Sequence, residues 1–248
     1  MATTHPSSQN SILNMLTALQ FAALLHSDLE LVTSPTGEVL YTVGGEIQHV
    51  YFPRTALVSL VGISTAGESI EVGMVGFEGF VGIPLLLGAS CQQYQAVTQI
   101  GGTLWRLPKD ALVPINGEPF ILTNTLLRYA HVRLIQIVQS AICNRFHTLR
   151  QRLCRWLLTA RDRRQSDDLA FTKEYLAEMI GSHRPGVATT LAGLQRLKWI
   201  ESHRGGVSIL RGKDLETASC ECYAMVKKEA ETFVTDCMNH GRTRRSWN

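Results

Sequence analysis

The apolar residues of this chain follow two different patterns, which divide it into two parts. In residues 32–112, short apolar runs alternate with turns rich in glycine and proline, a pattern typical of the strands of a β-barrel or jelly roll. After Pro114, apolar residues recur at every third or fourth position, which is the period of an α-helix. The sequence therefore predicts an α+β fold in which a β-barrel precedes a helical region.

Helices are predicted on both sides of the barrel. Residues 12–25 have helical spacing before it, and residues 118–144 form a longer helix after it. The long helix carries a seam of apolar residues with a heptad period, as in a coiled coil: Phe120, Leu127, Ala130, Leu134, Ile137 and Ala141. Such a seam can pack against the same helix of a second subunit or against the chain's own barrel, and we favour dimerisation.

A helix-turn-helix motif is predicted in residues 171–201. Thr172 is a suitable N-cap for a first helix, and Gly181 can end that helix in the left-handed conformation. Ser182 is expected to cap a second helix, with Pro185 in its first turn. The buried stripe of the second helix is expected to be Val187, Leu191, Leu194 and Leu197.

The opposite face of the second helix carries small or polar residues, which would let it enter the major groove of DNA: His183, Arg184, Gly186, Thr189 and Thr190. Arg184 is the candidate for base reading, because a guanidinium can donate two hydrogen bonds to guanine O6 and N7. The candidates for phosphate contacts are Thr172, Lys173, Ser182, His183, His203 and Arg204. Each of these six could instead be an ordinary solvated side chain.

Strand-like residues 200–201 and 207–210 flank a glycine-containing turn, which predicts a hairpin, the wing of a winged helix. Upstream of the motif, residues 146–160 predict a helix and residues 161–168 a polar connector. A helical hairpin that binds no nucleic acid is the alternative to a DNA-binding motif.

A last helix is predicted after the wing. Asp214 is a candidate N-cap, and Leu215, Cys222 and Phe233 would share one face. Cys220 and Cys222 on such a helix would project about 200° apart. We therefore expect one core thiol and one partly exposed thiol, and no metal ligands.

Charge is divided unevenly along the chain. Residues 1–104 contain one basic residue, Arg54, against seven acidic ones, a net charge of −6. The rest of the chain contains 23 basic and 14 acidic residues, a net charge of +9. An acidic first part and a basic second part indicate that only the second part meets a polyanion.

Residues 171–210 resemble the DNA-binding domain of the CRP/FNR family of bacterial transcription regulators, and residues 40–112 resemble, more weakly, that family's cyclic-nucleotide-binding-type β-barrel. The resemblance implies a homodimer whose partners are double-stranded DNA and RNA polymerase. Arg184 matches an arginine of the family's recognition helix. Pro185 stands where the family often has a glutamate, and Thr189 where it has a second arginine, so the operator is expected to differ from the best-known family sequence.

Residues 79–87 resemble the family's phosphate-binding cassette, with Gly79, Gly82 and Ile83 as the candidate effector pocket in vestigial form. Ile83 replaces the glutamate that holds the ribose. Between Arg54 and Arg106 there is no arginine or lysine to neutralise a cyclic phosphate, which would be costly to bury without a cation. We therefore expect no tight binding of cyclic AMP. The effector is unknown and no cofactor is expected.

Other functional classes find little support in the sequence. We find no G-x-S-x-G, H-E-x-x-H or P-loop motif and assign no catalytic residues. The histidine pair and glutamate of a cupin-like metal enzyme are not seen in the barrel strands. The first cysteine is Cys91, so an N-terminal iron–sulfur cluster of the kind found in some family members is not expected. Without a long apolar run or a secretory signal, we expect a cytoplasmic protein with reduced thiols.

The sequence thus predicts three parts: a sensor-type barrel domain with its N-terminal helix (residues 1–115), a long dimerisation helix (116–145), and a winged helix-turn-helix domain with a C-terminal helix (146–248). The predicted function is a sequence-specific, homodimeric transcriptional regulator that reads half-sites with the helix beginning at Ser182. The alternative is a ligand-binding or scaffold module whose helix-turn-helix contacts protein. An enzyme built on the barrel is a third hypothesis.

Overall fold

A computed structural model describes residues 9–18, 28–112 and 120–243 of the chain. The N-terminal helix α1 is described as Ser11–Ala18. The remainder of that predicted helix, residues 19–25, and the predicted start of the long helix, residues 118–119, lie outside the described residues.

The first part of the chain forms two antiparallel sheets, as the alternating runs predict. The strands are β1 Glu30–Ser34, β2 Val39–Tyr41, β3 His49–Pro53, β4 Leu57–Ile63, β5 Ser69–Val75, β6 Tyr94–Ile100 and β7 Gly102–Pro108. One sheet has the order β1-β7-β3 and the other the order β2-β6-β4-β5. Their facing side chains, among them Val50, Phe52, Val58 and Leu107, are fully buried, so the two sheets enclose one core.

A short helix α2, Ile83–Leu86, follows β5, and the chain before it packs on an aromatic cluster. The rings of Phe52, Phe80 and Tyr129 lie in series, with centroids 5.8 and 5.3 Å apart. The backbone of Gly79 lies so close to Tyr129 that a Cβ atom at Gly79 would overlap the phenol ring. Glycine at this position is therefore required by close packing.

The long helix α3 spans Phe120–Phe146, 27 residues, or about 40 Å. Its buried side chains belong mostly to a face that the sequence analysis did not single out: Leu126, Tyr129, Val132, Arg133, Gln136, Ser140 and Cys143. This face packs on the barrel and on the C-terminal helix.

The predicted seam lies beside that buried face. Ala130 is buried, but Leu127, Leu134, Ile137 and Ala141 are exposed; the side chain of Phe120 lies outside the described part of the structure. Val138 is 55% exposed and adds to this apolar surface. The chain's own barrel thus covers only a small part of the seam.

The helical region differs from the prediction at several boundaries. Helix α4 is Leu149–Arg164, so it begins three residues later than predicted, directly after its N-cap Thr148. It includes the first half of the predicted polar connector. Gln165 ends it in the left-handed conformation. The short strand β8, Asp168–Ala170, follows and pairs with the wing.

The winged helix-turn-helix is formed as predicted in outline. Its helices are α5 Lys173–Ile180 and α6 Arg184–Arg196, and its wing strands are β9 Ile200–His203 and β10 Gly206–Ile209. Strands β8, β10 and β9 form one antiparallel sheet, and its side chains share a core with α4, α5 and α6.

The predicted last helix is two helices, α7 Gly212–Ala218 and α8 Glu221–Thr243. Asp214 lies within α7 and does not cap it, because the N-cap is Arg211. The prediction that one of the thiols of Cys220 and Cys222 is partly exposed was also wrong. Cys220 precedes α8 instead of lying on it, so helical spacing does not separate it from Cys222, and both residues are buried.

The helix-turn-helix packs against the outside of the barrel. Met179 of α5 contacts Val61 and Val97 of the four-stranded sheet, and Ser69 donates a hydrogen bond to Glu178. This contact places the turn between α5 and α6 beside the β4–β5 hairpin. Among the described helices, none is both long enough and apolar enough to cross a bilayer.

A pair of glycine substitutions tests the close packing at the aromatic cluster. We expect Gly79→Ala to lower the free energy of unfolding by about 1–3 kcal/mol, because the added methyl group forces the buried Tyr129 ring to shift. Gly193→Ala is the matched control, since nothing lies within 4 Å of a Cβ there and alanine stabilises a helix by about 0.5–1 kcal/mol. Urea unfolding of both variants measures the difference, and equal effects would contradict the packing.

Candidate nucleic-acid interface

The start of the helix-turn-helix is fixed by Thr172. Its hydroxyl accepts a hydrogen bond from the backbone N–H of Tyr175 at 3.1 Å, so it is the predicted N-cap of α5. Thr172 and Lys173 are both exposed at this helix N-terminus. Free N–H groups and a positive side chain at one helix end are a common arrangement for contacting a phosphate.

The turn between the two helices differs from the prediction in one respect. Gly181 has φ 62° and ψ 52°, the predicted left-handed conformation. The backbone N–H of Ser182, however, donates to Ala177 O at 2.9 Å, which is the closing bond of a Schellman motif. Ser182 therefore completes α5, and the N-cap of α6 is His183, whose side chain makes no capping hydrogen bond.

The buried stripe of α6 holds it in place. Val187, Leu191 and Leu194 are at most 1% exposed and pack in the core of the winged domain. Leu197 does not belong to this stripe, because it is the C-cap residue and is 48% exposed. Pro185 lies in the first turn, as predicted.

The opposite face of α6 is exposed at its N-terminal end. His183, Arg184 and Thr189 are exposed, and no described residue forms a salt bridge with Arg184. The exposed face continues about two turns further to Gln195 and Arg196, which the sequence analysis missed. Gln195 follows Ala188, and Arg196 follows Thr189, by seven residues, which is about two helical turns. This spacing could have placed them on the same face.

Two predicted residues of this face have partners within the protein. Gly186 lies against α4, where a Cβ atom would come within 3.1 Å of the Leu149 side chain. The hydroxyl of Thr190 donates to the carbonyl of Gly186 at 2.8 Å. Both residues are half-buried. Within a single chain, Gly186 allows α6 to pack closely on α4, and the Thr190 hydroxyl is bonded to the helix backbone.

The wing is held to β8 by polar contacts. The Nε2 atom of His203 lies 2.9 Å from Asp168 Oδ1, and Ser208 donates to the same oxygen at 3.0 Å. These bonds, that of Ser208 first, lower the pKa of the Asp168 carboxyl. Arg204 is exposed at the tip of the hairpin. The His203 side chain is therefore held by a contact within the protein, whereas the Arg204 side chain lies on the exposed tip of the wing.

The structure brings most of the predicted DNA-binding residues onto one motif. The exposed candidates are Thr172, Lys173, His183, Arg184, Thr189, His203 and Arg204, and the half-buried ones are Ser182, Gly186 and Thr190. An exposed helix face with one long guanidinium, small neighbours and a flanking wing has the dimensions and donors that suit a DNA groove.

The candidate effector pocket is closed where the cassette glycines lie. Tyr129 covers Gly79, and a Cβ atom at Gly82, which has φ 136°, would overlap the Val50 side chain. Ile83 is the half-buried first residue of α2 and packs with the barrel core. The barrel side chains are thus packed closely against both glycines.

A buried cation of the long helix contacts the barrel strand β5, which the sequence analysis missed. Arg133 of α3 is 3% exposed and donates from Nη1 to the carbonyl of Met74 at 2.6 Å. It also contacts Gln136. Arg133 lies 59 positions further along the chain than Met74, so only the folded structure brings the two residues together.

Two family models match the chain. Residues 31–115 match the cyclic nucleotide-binding domain, and residues 151–218 match the Crp-like helix-turn-helix domain. Together the two matches cover more than half of the chain. No curated protein sequence matches it at a significant level.

Solved structures of bacterial regulators have a similar fold. A CRP/FNR-family transcriptional regulator from Thermus thermophilus is 24% identical, with a TM-score of 0.62 over 77% of this chain and 98% of that one. A second CRP-family regulator from the same organism is 21% identical, with a TM-score of 0.64 over 76% and 96%. The c-di-GMP-responsive global regulator CLP of Xanthomonas campestris is 15% identical, with a TM-score of 0.63 over 77% and 98%.

The closed cassette predicts that cyclic AMP will not bind tightly. Isothermal titration of the purified chain with cyclic AMP is expected to show no saturable heat, because Tyr129 covers the glycine turn and Ile83 cannot bind a ribose hydroxyl. Binding of DNA by the same preparation serves as the control for a folded sample. A micromolar or tighter dissociation constant would contradict the prediction.

Proposed function

Because this chain belongs to the CRP/FNR family of transcriptional regulators, we propose that it binds DNA as a homodimer and reads a specific operator. The observation that supports this most is the position of Arg184. It is exposed in the first turn of α6, while the other face of the same helix is anchored by three fully buried residues.

Base reading is assigned to α6. Arg184 would donate two hydrogen bonds to a guanine in the major groove, and the short side chain of Thr189 would allow the helix to approach the base edges. Lys173, His183 and Arg204 would contact phosphates on either side and position the helix. Pro185 has no side-chain group that accepts from cytosine, so it adds shape and no hydrogen bond.

Dimerisation is assigned to α3. Leu127, Leu134 and Ile137 are 39%, 61% and 41% exposed in the single chain, and they recur at the spacing of a coiled-coil seam. Packing two copies of α3 would remove this apolar surface from water. It would also relate two α6 helices by a twofold axis, which an operator with two half-sites requires.

A protein-contacting helix-turn-helix is the competing assignment. The net charge of +9 on the second part of the chain argues for a polyanion as the partner. A DNA-binding protein loses affinity steeply as the salt concentration rises, because each phosphate contact releases counterions. A shallow salt dependence would favour the protein-binding alternative.

RNA polymerase remains the expected protein partner of the DNA-bound form. The effector that would regulate DNA binding is unknown.

The variants Arg184→Ala and Arg204→Ala distinguish base recognition from phosphate contacts that only position the helix. We expect Arg184→Ala to lose about 1–3 kcal/mol of binding to the selected operator and little binding to random DNA. Arg204→Ala should weaken both by similar amounts and reduce the slope of log affinity against log salt by about 1. Fluorescence anisotropy with labelled duplexes measures all four affinities. Unchanged operator affinity for Arg184→Ala would remove this residue from the reading face.

A double substitution on α3 tests the dimer. We expect Leu134→Asp with Ile137→Asp to give a monomer in sedimentation velocity, because two carboxylates on each helix would face each other in the seam. Leu87→Asp is the matched control, since Leu87 is 65% exposed but lies on the barrel. A control that dissociates as well, or a double variant that stays dimeric, would place the interface elsewhere.

A further inference from the structure

Three cysteines and one histidine meet where the long helix joins the winged domain. Cys143 lies in the last turn of α3 and His147 in the link to α4. Cys220 lies just before α8, and Cys222 lies in the first turn of α8. One sulfur or nitrogen atom from each residue lies within 4.8 Å of the other three. We call this group the Cys3His cluster.

Two distances within the cluster match those of a tetrahedral metal site. The Sγ atoms of Cys143 and Cys220 are 3.5 Å apart, and Cys222 Sγ is 3.7 Å from His147 Nδ1. Zinc–sulfur and zinc–nitrogen bonds of about 2.3 and 2.05 Å imply tetrahedral edges of about 3.8 Å between sulfurs and about 3.6 Å between sulfur and nitrogen. The side chains are therefore already spaced as ligands of one central ion.

The cluster is also buried. Cys143, Cys220 and Cys222 are at most 3% exposed, and the His147 side chain is 12% exposed. Four protein ligands complete a tetrahedral coordination shell and leave no open position for a substrate, which is typical of structural zinc sites. The small span between the ligand atoms suits a single ion rather than a cluster in which different irons bind different cysteines.

We propose that Cys143, His147, Cys220 and Cys222 bind one Zn²⁺ ion at the junction of α3, α4 and α8. Thiolate and imidazole ligands in tetrahedral geometry favour zinc over magnesium or calcium, which prefer oxygen ligands. The proposal concerns the chain's own fold and does not depend on DNA binding.

Glu221 is placed to orient the histidine. Its Oε1 atom lies 3.2 Å from Nε2 of His147, on the side of the ring away from Cys222. A proton held on Nε2 by the carboxylate leaves the lone pair of Nδ1 free for the metal, as in many carboxylate–histidine–zinc sites. Glu221 is thus a positioning residue and makes no contact with the ion.

The charges around the cluster suit a site with three thiolates. Three thiolates and Zn²⁺ have a net charge of −1, and the Arg155 guanidinium lies close enough to act on Cys143. A hydrogen bond from Cys220, together with Arg155 and His147, lowers the pKa of the Cys143 thiol. Zinc binding by three thiols would release their protons, because the metal binds the thiolate form.

A metal at this position would connect distant parts of the chain. Cys143 and Cys220 are 77 residues apart, and the segment between them contains the whole winged helix-turn-helix. The ion would fix the end of α3 and the start of α8 to the link before α4. The proposed zinc site is therefore a clamp at the junction between the long helix and the DNA-binding part.

Metal analysis of the full-length chain, purified under reducing conditions without chelators, tests the site. We expect one zinc per chain in the parent protein, and in Cys91→Ser, whose cysteine is exposed and outside the cluster. Cys143→Ser and Cys222→Ser should lose the metal. Zinc-free parent protein that stays zinc-free on addition of Zn²⁺, or a Cys91→Ser variant that loses zinc as the cluster variants do, would overturn the proposal.

Binding of Co²⁺ tests the same site in the unsubstituted protein. The result therefore does not depend on whether a cysteine variant folds. Titration of zinc-free parent protein with Co²⁺ should give the intense visible absorption of a tetrahedral site and the near-ultraviolet band of cobalt–thiolate charge transfer. Zn²⁺ should then abolish both. A weak octahedral spectrum, or a disulfide between Cys143 and Cys220 in protein isolated with its thiols blocked, would contradict zinc binding by these residues.

Glu221→Gln tests the positioning role. Glu221 is 65% exposed, so the substitution should not disturb the core. We expect metal affinity to fall about 10–100-fold, as for other partners of ligating histidines, with an unchanged tetrahedral Co²⁺ spectrum. Unchanged affinity would remove Glu221 from the site.

Discussion

The long helix α3 has more apolar surface than one chain can cover. One face packs on the barrel and on α8 through residues such as Leu126, Tyr129 and Val132. A neighbouring face leaves Leu134 and Val138 more than half exposed. Apolar surface of this extent along one helix favours a second helix as its cover. Helix α3 ends at the junction with the winged domain, so whatever packs on it also positions α6.

The local motifs could be predicted from the sequence because their signals are local. A threonine cap, a left-handed glycine and a proline in the first turn specify α5, the turn and α6 within a few residues. The start of α6 was misplaced by one residue because the backbone of Ser182 closes the preceding helix. That hydrogen bond is made by the backbone of Ser182, so the identity of its side chain does not predict it.

Features that depend on distant contacts could not be predicted. The heptad pattern of α3 identified an apolar face, but a second heptad set containing Tyr129, Arg133 and Gln136 is the one buried on the barrel. A buried cation of that helix, Arg133, contacts the carbonyl of Met74 in β5. The Cys3His cluster was excluded by assuming that Cys220 lies on a helix, whereas the chain bends between α7 and α8 and turns its thiol toward Cys143.

The central claim is that α6 reads DNA twice, across a twofold axis formed by α3. Sequencing of random DNA fragments selected by the purified full-length protein tests it most directly. We expect enrichment of an inverted repeat whose half-sites lie about one helical turn, or a multiple of it, apart, with a guanine in each half. Enrichment of a single unpaired half-site, or no enrichment over unselected fragments, would contradict it.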